Sequence, residues 1–244
     1  MNRNSYSIFQ KSGFIDLGKM PRYVKILDLE AVLFLYGVPR FFARITQAIF
    51  RAAWKIYLKV RLTKKPGDLR IQEVAGLDYE FGKFWDSIST HYNCISKRST
   101  EFLRWRYVDQ PLWEYTILKG ERSGAIRGFV VLRKGRVKSG RLKGHPIGII
   151  SDILVHPDDR GALRWLLAEA VKFFREKRTL IVKCDILDAK IEKGLSGAGF
   201  VKVSSDHRFM LNIYENGMPR EDIDLARMRK NWFINSGDSD FDFD

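Results

Sequence analysis

Cysteine is nearly absent from this sequence, which has 2 cysteines among 244 residues. Cys94 and Cys184 lie far apart and form no C-x-x-C pair, so they indicate neither a disulfide framework nor a thiolate zinc site. Long apolar runs are also missing, since none reaches the roughly 18 to 20 residues that a membrane-spanning helix needs. Residues 1–11 are polar and lack the apolar centre of a signal peptide. These absences predict a protein of a reducing, cytoplasmic compartment.

Acidic residues are scarce beside basic ones, 29 against 43, which gives a formal net charge of +14. The segment 31–67 contains no acidic residue, and its basic side chains are Arg40, Arg44, Arg51, Lys55, Lys59, Arg61, Lys64 and Lys65. The last stretch, 237–244, is acidic instead. Much of the positive excess is therefore local. It favours an anionic surface or ligand over nucleic acid, because no groove-reading or base-stacking motif accompanies it.

Apolar residues make up 45% of the chain, enough for a packed core. Between residues 70 and 216 the periodicity predicts a strand, two helices, three strands, a helix, a strand, a helix and two strands. This order predicts an α/β domain of the layered α+β type, with a mixed central sheet and helices on its faces. Residues 217–244 are predicted to add a short helix and an acidic tail.

The central stretch of that domain, 147–169, predicts a buried strand, a short polar turn and a helix. A strand that feeds directly into a helix leaves free backbone N–H groups at the turn, and the helix dipole favours an anion there. Such a junction fits a bound phosphate, although most junctions of this kind in α/β proteins hold no ligand.

Two segments, 12–27 and 198–214, follow the same order: a small residue, Gly-Phe, a strand, a turn with a basic residue, and a second strand. This faint internal repeat predicts that residues 1–28 are the last hairpin of a preceding, similar lobe. A hairpin alone is too small to be stable, so we expect it to dock on this chain or on another one.

Residues 29–69 are predicted to connect the two units as a basic amphipathic helix, kinked near Pro39. Its apolar stripe includes Phe42, Ile45 and Ile49, and its arginines lie mostly off that stripe. Packing between lobes is the commoner role for such a helix, and contact of residues 41–62 with an anionic membrane is the alternative.

The strand order and several motifs resemble the GNAT acyltransferases, with the branch associated with bacterial surface-polysaccharide biosynthesis as the nearer match. The resemblance covers about residues 70–244 and rests on R-S-T-E-F-L-R-W-R-Y at 98–107, D-Q-P at 109–111, I-S-D-I-L at 150–154, Gly199-Phe200 and the N-W-F motif at 231–233. Proteins of that branch often carry two lobes in tandem, so this chain resembles an N-terminally short version.

The resemblance implies an acyl-CoA substrate, acetyl-CoA or another, held by the strand and turn at the centre of the domain, through Ile153, Val155, Arg160, Gly161, Ala162 and Leu163. The family loop usually reads R/Q-x-x-G-x-G/A, whereas this turn has one glycine and is shorter. The resemblance therefore does not decide whether two of the conventional contacts to the pyrophosphate are made here.

Asp152 is the candidate catalytic base, since it is the one carboxylate within the strand 147–155. The alternative is a structural role for Asp152, bonded to Arg104 or Arg106. Those two arginines are in turn candidates to bind an anionic acceptor. No metal-ligand spacing such as HxH or HExxH is present, so no metal is expected.

The resulting hypothesis is an N-acyltransferase that acts on a small amine acceptor, such as an amino-sugar used in polysaccharide synthesis. The alternatives are an inactive GNAT-like binding or scaffold module and a membrane-peripheral protein. A homo-oligomer, or a first lobe supplied by another chain, would complete the assembly.

Overall fold

The structure is a computed structural model that describes residues 3–61, 67–214 and 217–239. Its helices are α1 (Arg3–Lys11), α2 (Leu29–Leu35), α3 (Arg40–Arg61), α4 (Tyr79–Ser89), α5 (Thr100–Leu103), α6 (Arg160–Glu176), α7 (Ala189–Gly197) and α8 (Arg220–Arg227). A π-helical segment, Arg104–Val108, continues α5, and 3₁₀ turns occupy Arg229–Asn231 and Ser236–Asp238.

The strands are β1 (Ile15–Lys19), β2 (Arg22–Ile26), β3 (Leu69–Glu73), β4 (Cys94–Ile95), β5 (Tyr115–Arg122), β6 (Ala125–Arg136), β7 (Pro146–Val155), β8 (Ile181–Leu187), β9 (Val201–Val203), β10 (Arg208–Leu211) and β11 (Trp232–Asn235). The main sheet runs β3-β5-β6-β7-β8-β11-β4, and β2 and β9 extend it from β8. The pairs β7–β8 and β11–β4 are parallel, and the other pairs are antiparallel. The predicted mixed sheet is therefore confirmed.

Helices α4 and α6 cover opposite faces of this sheet. Phe129 on β6 packs against Phe81 and Phe84 of α4, with ring centroids 5.8 and 6.2 Å apart. The preceding residue, Gly128, pairs with Gly120 of β5, which lies under Leu166 of α6. Because neighbouring residues of a strand point to opposite faces, the two helices sandwich β6.

Helix α6 approaches the sheet closely because β7 offers it a glycine. A side chain at Gly148 would place its Cβ only 2.5 Å from the ring of Phe174. Phe174 is fully buried, and it packs over β7 at this position. Periodicity predicted both elements, but the contact between Gly148 and Phe174 depends on how the helix packs on the strand.

The two strands of segment 12–27 are present, but each pairs with a strand other than its neighbour. β2 lies between β8 and β9, and β1 pairs with β10 in a separate two-stranded sheet. The prediction that 12–27 and 198–214 each form a hairpin is therefore wrong. Each strand of one segment pairs with a strand of the other segment instead. Residues 22–26 are an internal strand of the main sheet, and the first segment docks on this same chain.

An ion pair fastens β2 to β8. The guanidinium of Arg22 donates two hydrogen bonds to Asp185, both 2.7 Å long, and the carboxylate is fully buried. His207 adds a contact of 3.6 Å to the same carboxylate. Although burial alone would raise it, these hydrogen bonds and nearby charges lower the pKa of Asp185 from its usual 3.8 to about 2.

The segment predicted as a connector contains α2 and α3, which are separated by a turn at Gly37. Ala43 and Gln47 are the residues of 40–53 that α3 buries, and the Gln47 side chain accepts a hydrogen bond from the Leu29 amide at 3.1 Å. Side chains beyond residue 53, including those of Lys55 and Lys59, lie outside the described part. No described helix is both long and apolar enough to span a bilayer.

The short helix predicted within residues 217–244 is present as α8, and the side chains of Asp78 and Ser99 cap α4 and α5. Helix α1 was not predicted, because its residues are polar and carry no apolar stripe of usual length. The acidic tail after Ser239 lies outside the described residues.

The Arg22–Asp185 pair should dominate the docking of β2. Arg22→Gln leaves a buried carboxylate without its main partner, so we expect a loss of about 3 kcal/mol in the free energy of unfolding at pH 7. In the parent protein, about 2 kcal/mol of stability present above pH 4 should disappear as the pH falls from 4 to 2, because the folded-state pKa of Asp185 is the lower one.

The matched control is Arg208→Gln, at the corresponding position of the repeat, whose ion pair with Asp16 is partly exposed. It should cost less than about 1 kcal/mol in denaturant titrations. Equal losses from the two variants would show that β2 is not held by this pair.

Candidate functional site

The site begins where β7 and β8 separate. Their parallel pairing runs from Ile147↔Ile181 to Ile150↔Cys184 and ends there. At the same level β7 contains a bulge, since Leu132 of β6 pairs with Ile150 while Val131 pairs with Asp152. Ser151 is therefore an extra residue, which bends β7 away from β8. The result is a V-shaped opening at the carboxyl ends of two parallel strands.

The C-terminal segment enters this opening. Strand β11 pairs with the end of β8 through Ile234↔Leu187 and Asn235↔Ile186. The amide of Asn235 donates a hydrogen bond to the carboxylate of Asp152 on β7. The segment thus bridges the two diverging strands, although no sequence pattern indicated that residues so distant in the chain would meet.

Asp152 lies in a closed and fully buried network. Its carboxylate is 3.4 Å from Nε of Arg98 and accepts a hydrogen bond of 3.1 Å from the Tyr107 hydroxyl. Arg98 also binds Asp238 at 2.7 Å. Burial raises the pKa of Asp152 above its usual range, while the charge of Arg98 opposes that rise.

Asp152 points to the face of the sheet that α4 covers. Its register partner on β6 is Val131, two residues beyond Phe129, whose ring packs on α4. The geometry therefore favours the structural role of Asp152 over the catalytic one. Its charged partner is Arg98, not Arg104 or Arg106 as the sequence alternative had it.

The two predicted acceptor-binding arginines also hold protein groups. Arg106 donates to the carbonyls of Gly237 and Ser239, at 3.2 and 2.9 Å, and so fastens the C-terminal segment. Arg104 donates to the Leu77 carbonyl at 3.4 Å. Neither lines the cavity described next.

A cavity of about 380 Å³ lies on the opposite face, between α6 and α7. Its middle is apolar and is formed by Leu163, Leu167, Val171, Ile191 and Gly194. Gly194 has no room for a side chain against Leu163, which allows the two helices to approach each other there. A cleft of this volume is large enough for a small organic ligand.

Basic side chains gather where the two helices begin. Arg160 and Arg164 on the first turns of α6, and Lys190 and Lys193 on those of α7, line the cavity and are exposed. Both helices follow parallel strands, so their N-termini lie at the same edge of the sheet. Four positive side chains therefore face one region, which favours a ligand with negative charges, although the carboxylates of Asp159 and Asp188 cap the two helix ends there.

The predicted anion cradle at the start of α6 is partly used by the protein itself. The carboxylate of Asp159 accepts a hydrogen bond from the Ala162 amide at 2.9 Å, and the Asp159 carbonyl accepts one from Leu163 at 3.2 Å. Asp159 also forms ion pairs with Arg122 and Arg127, at 3.1 and 3.4 Å. The amides of Ala162 and Leu163 are thus committed to the first turn of the helix.

Some of the other residues predicted to bind the cofactor line the cavity, and others lie in the hydrophobic core. Arg160, Leu163 and Val155 line the cavity, whereas Ile153 and Ala162 are completely buried and are not among its lining residues. Gly161 lies in the first turn of α6 beside this wall.

Lys25 is a cavity residue that the sequence analysis missed. Its ammonium group donates a hydrogen bond of 2.6 Å to the Ala198 carbonyl at the end of α7, and the side chain is only 4% exposed. Burial, with a smaller effect from Arg175, lowers the pKa of Lys25 from 10.5 to about 7. Because side chains alternate along a strand, the pattern of β2 could have indicated that Lys25 is buried on the same side as Tyr23. It could not have indicated that Lys25 lines a cavity.

At the cavity rim, His156 stacks edge-to-face on His91, with ring centroids 5.2 Å apart. Their nitrogens and a carboxylate oxygen of Asp158 lie within 4.8 Å of one another. Short sequence spacings predicted no metal ligands, whereas these two histidines lie in separate segments, just after α4 and just after β7. Burial, together with the charges of Arg127 and His91, lowers the pKa of His156.

Comparison with solved structures identifies the fold. A GCN5-related N-acetyltransferase from Anabaena variabilis superposes with a TM-score of 0.50 and 12% identity over 84% of this chain. The matched part spans 42% of that protein, less than half of its length. The chain therefore has the GNAT fold that the sequence resemblance implied.

Weaker likenesses include yeast (Saccharomyces cerevisiae) N-myristoyltransferase with bound myristoyl-CoA, with a TM-score of 0.43 and 10% identity over 69% of this chain and 42% of that one. An aminoglycoside acetyltransferase from an uncultured soil sample gives 0.35 and 16% identity over 48% and 76%. No family model and no curated protein matches the sequence.

Replacement of Asp152 should act on stability. Asp152→Asn removes the charge that neutralises buried Arg98, so we expect about 3 kcal/mol of destabilisation in denaturant titrations. The control is Asp158→Asn, an exposed carboxylate four residues before Ala162, which should change stability by less than about 0.5 kcal/mol. If the Asp152→Asn protein is as stable as the control, Asp152 does not stabilise the fold.

Proposed function

We propose that the protein is a GNAT-type N-acyltransferase that binds acyl-CoA in the cavity between α6 and α7. The observation that carries this proposal is the position of the cavity. It lies beside the divergence of β7 and β8, with an apolar middle and a cluster of positive side chains at one end. Acyl-CoA has the matching layout, a long arm of low charge joined to several phosphates.

The basic end is suited to the phosphates of CoA. Arg160, Arg164, Lys190 and Lys193 have long, exposed side chains that can pair with more than one phosphate oxygen. Since Asp159 occupies part of the α6 N-terminus, side chains carry more of this recognition than backbone amides do. Affinity for CoA should therefore depend strongly on ionic strength.

In the proposed reaction the neutral amine of the acceptor attacks the thioester carbonyl. A C–N bond forms, the C–S bond breaks, and the CoA thiolate leaves while the amine proton passes to a base or to water. Asp152 is shielded from the cavity, so the proposal does not rest on it as that base. The fixed site instead supplies orientation of the thioester and exclusion of water.

The acceptor is proposed from the sequence resemblance. The motifs at 98–107 and 150–154 resemble the GNAT branch associated with surface polysaccharides, which suggests an amino-sugar or a similar small amine. The same branch often has two lobes, which suggests that a second lobe completes the assembly.

The second candidate function is an inactive GNAT-like binding module. The segment β11, held by Asn235, Arg106 and Arg98, fills the V between β7 and β8 on the α4 face. This filling favours a module in which no acceptor reaches the thioester. Binding of CoA without turnover would then be the expected behaviour.

A cavity-filling variant tests the ligand site. Ala168→Trp places a large ring in the cavity wall, so it should weaken acetyl-CoA binding by about tenfold or more in isothermal calorimetry at low salt. Ala75→Trp makes the same change at an exposed position after β3, outside the cavity, and should bind as the parent does.

The outcomes separate the alternatives. Absence of acetyl-CoA binding to the parent protein at millimolar concentrations contradicts both the enzyme and the CoA-binding module. Binding that Ala168→Trp weakens, with no thiol released from acetyl-CoA in the presence of amino-sugars, favours the inactive module. Equal binding by both tryptophan variants would place CoA elsewhere.

A further inference from the structure

Helix α3 carries an apolar stripe that the rest of the described chain leaves open to solvent. Phe42, Ile45 and Ile49 are 59%, 44% and 64% exposed. From the sequence alone, packing of this stripe between lobes was the favoured interpretation. Within residues 40–53 the protein does not bury the stripe. The helix is held to the protein by other residues of α3.

The anchoring positions explain the orientation of the stripe. Ala43 and Gln47, one turn apart, are the buried pair, and Gln47 binds the Leu29 amide at the start of α2. With about 100° of rotation per residue, the centre of the stripe lies roughly 150° around the helix from that pair. The apolar face is therefore directed away from the protein, in a fixed orientation.

Helix α2 and its turn extend the same kind of surface. Phe34 and Tyr36 are also exposed, and each ring is covered by an arginine: Arg40 lies 4.6 Å from the ring of Phe34, and Arg141 lies 5.2 Å from that of Tyr36. Exposed aromatic rings with cationic partners are typical of a membrane–water interface, where an apolar body and a charged group meet.

Along the sequence, the segment that carries the stripe has charge of one sign only. No acidic residue occurs from 31 to 67, and the nearest one, Glu30, is paired with Arg44 at 3.1 Å. Arg40, Arg44 and Arg51 occupy the polar side of α3. A protein partner with a mostly apolar face would gain nothing from these charges, whereas an anionic bilayer complements both the stripe and the arginines.

We propose that α3, with the tip of α2, docks on the surface of an anionic lipid bilayer. The helix lies in the plane of the interface, with Phe42, Ile45 and Ile49 among the acyl chains. The arginines keep their charges at the level of the headgroups. This inference is independent of the proposed acyltransferase function, because it rests on residues outside the cavity.

The test is co-sedimentation of the full chain with vesicles. Binding is expected to vesicles with about one quarter phosphatidylglycerol, and to be at least about tenfold weaker with phosphatidylcholine alone. Ile45→Glu combined with Ile49→Glu should reduce binding to the anionic vesicles by about tenfold or more, because both charges would enter the apolar layer.

The control replaces equally exposed apolar residues elsewhere, Leu112→Glu with Val201→Glu, which are 72% and 66% exposed. This variant should bind vesicles as the parent does. Both double variants should remain folded by circular dichroism, since each alters solvent-exposed positions.

Two results would overturn the proposal. The first is equal vesicle binding by the α3 variant and the parent. The second is an absence of vesicle binding by the parent together with a dimer in sedimentation velocity that Ile45→Glu/Ile49→Glu converts to a monomer. That second result would assign the stripe to a second copy of the chain instead.

Discussion

The site depends on the point at which β7 stops pairing with β8. Through Ile150 and Cys184 the two strands are a parallel pair, and beyond the bulge at Ser151 they separate. The separation leaves unpaired strand edges, which a folded protein must satisfy. On one face the C-terminal segment satisfies these edges, because β11 pairs with β8 and Asn235 bonds to Asp152 on β7. On the other face lie α6 and α7, the helices that follow these two strands, and the cavity lies between them.

The first segment of the chain completes the same sheet. β2 enters beside β8, and the Arg22–Asp185 pair is strong because the carboxylate is buried and accepts both hydrogen bonds in a planar geometry. The partner exchange of the two repeats means that each repeat contributes one strand to each sheet. Lys25 reaches the cavity through this exchange, so a residue near the start of the chain belongs to the site.

Local signals predicted most of the elements. The strand, turn and helix at 146–176, the caps at Asp78 and Ser99, and the connector helix all follow from periodicity and from capping chemistry, which act within a few residues. The site residues were harder to predict. Asp152 was a reasonable candidate base on a central strand, but its role depends on the side to which the strand faces and on Arg98, Tyr107 and Asn235, which come from distant segments.

The sequence by itself determined the layered α/β class and, apart from α1, β4 and β11, the order of strands and helices, because these depend on the hydrophobic period. The tertiary structure alone decided three other matters: that the repeats exchange strands, that the C-terminal segment fills one side of the strand divergence, and that the apolar stripe of α3 faces solvent. Each is a choice of partner between segments far apart in the chain. Such a choice is made by the fit and burial of whole surfaces, which the local pattern of residues does not encode.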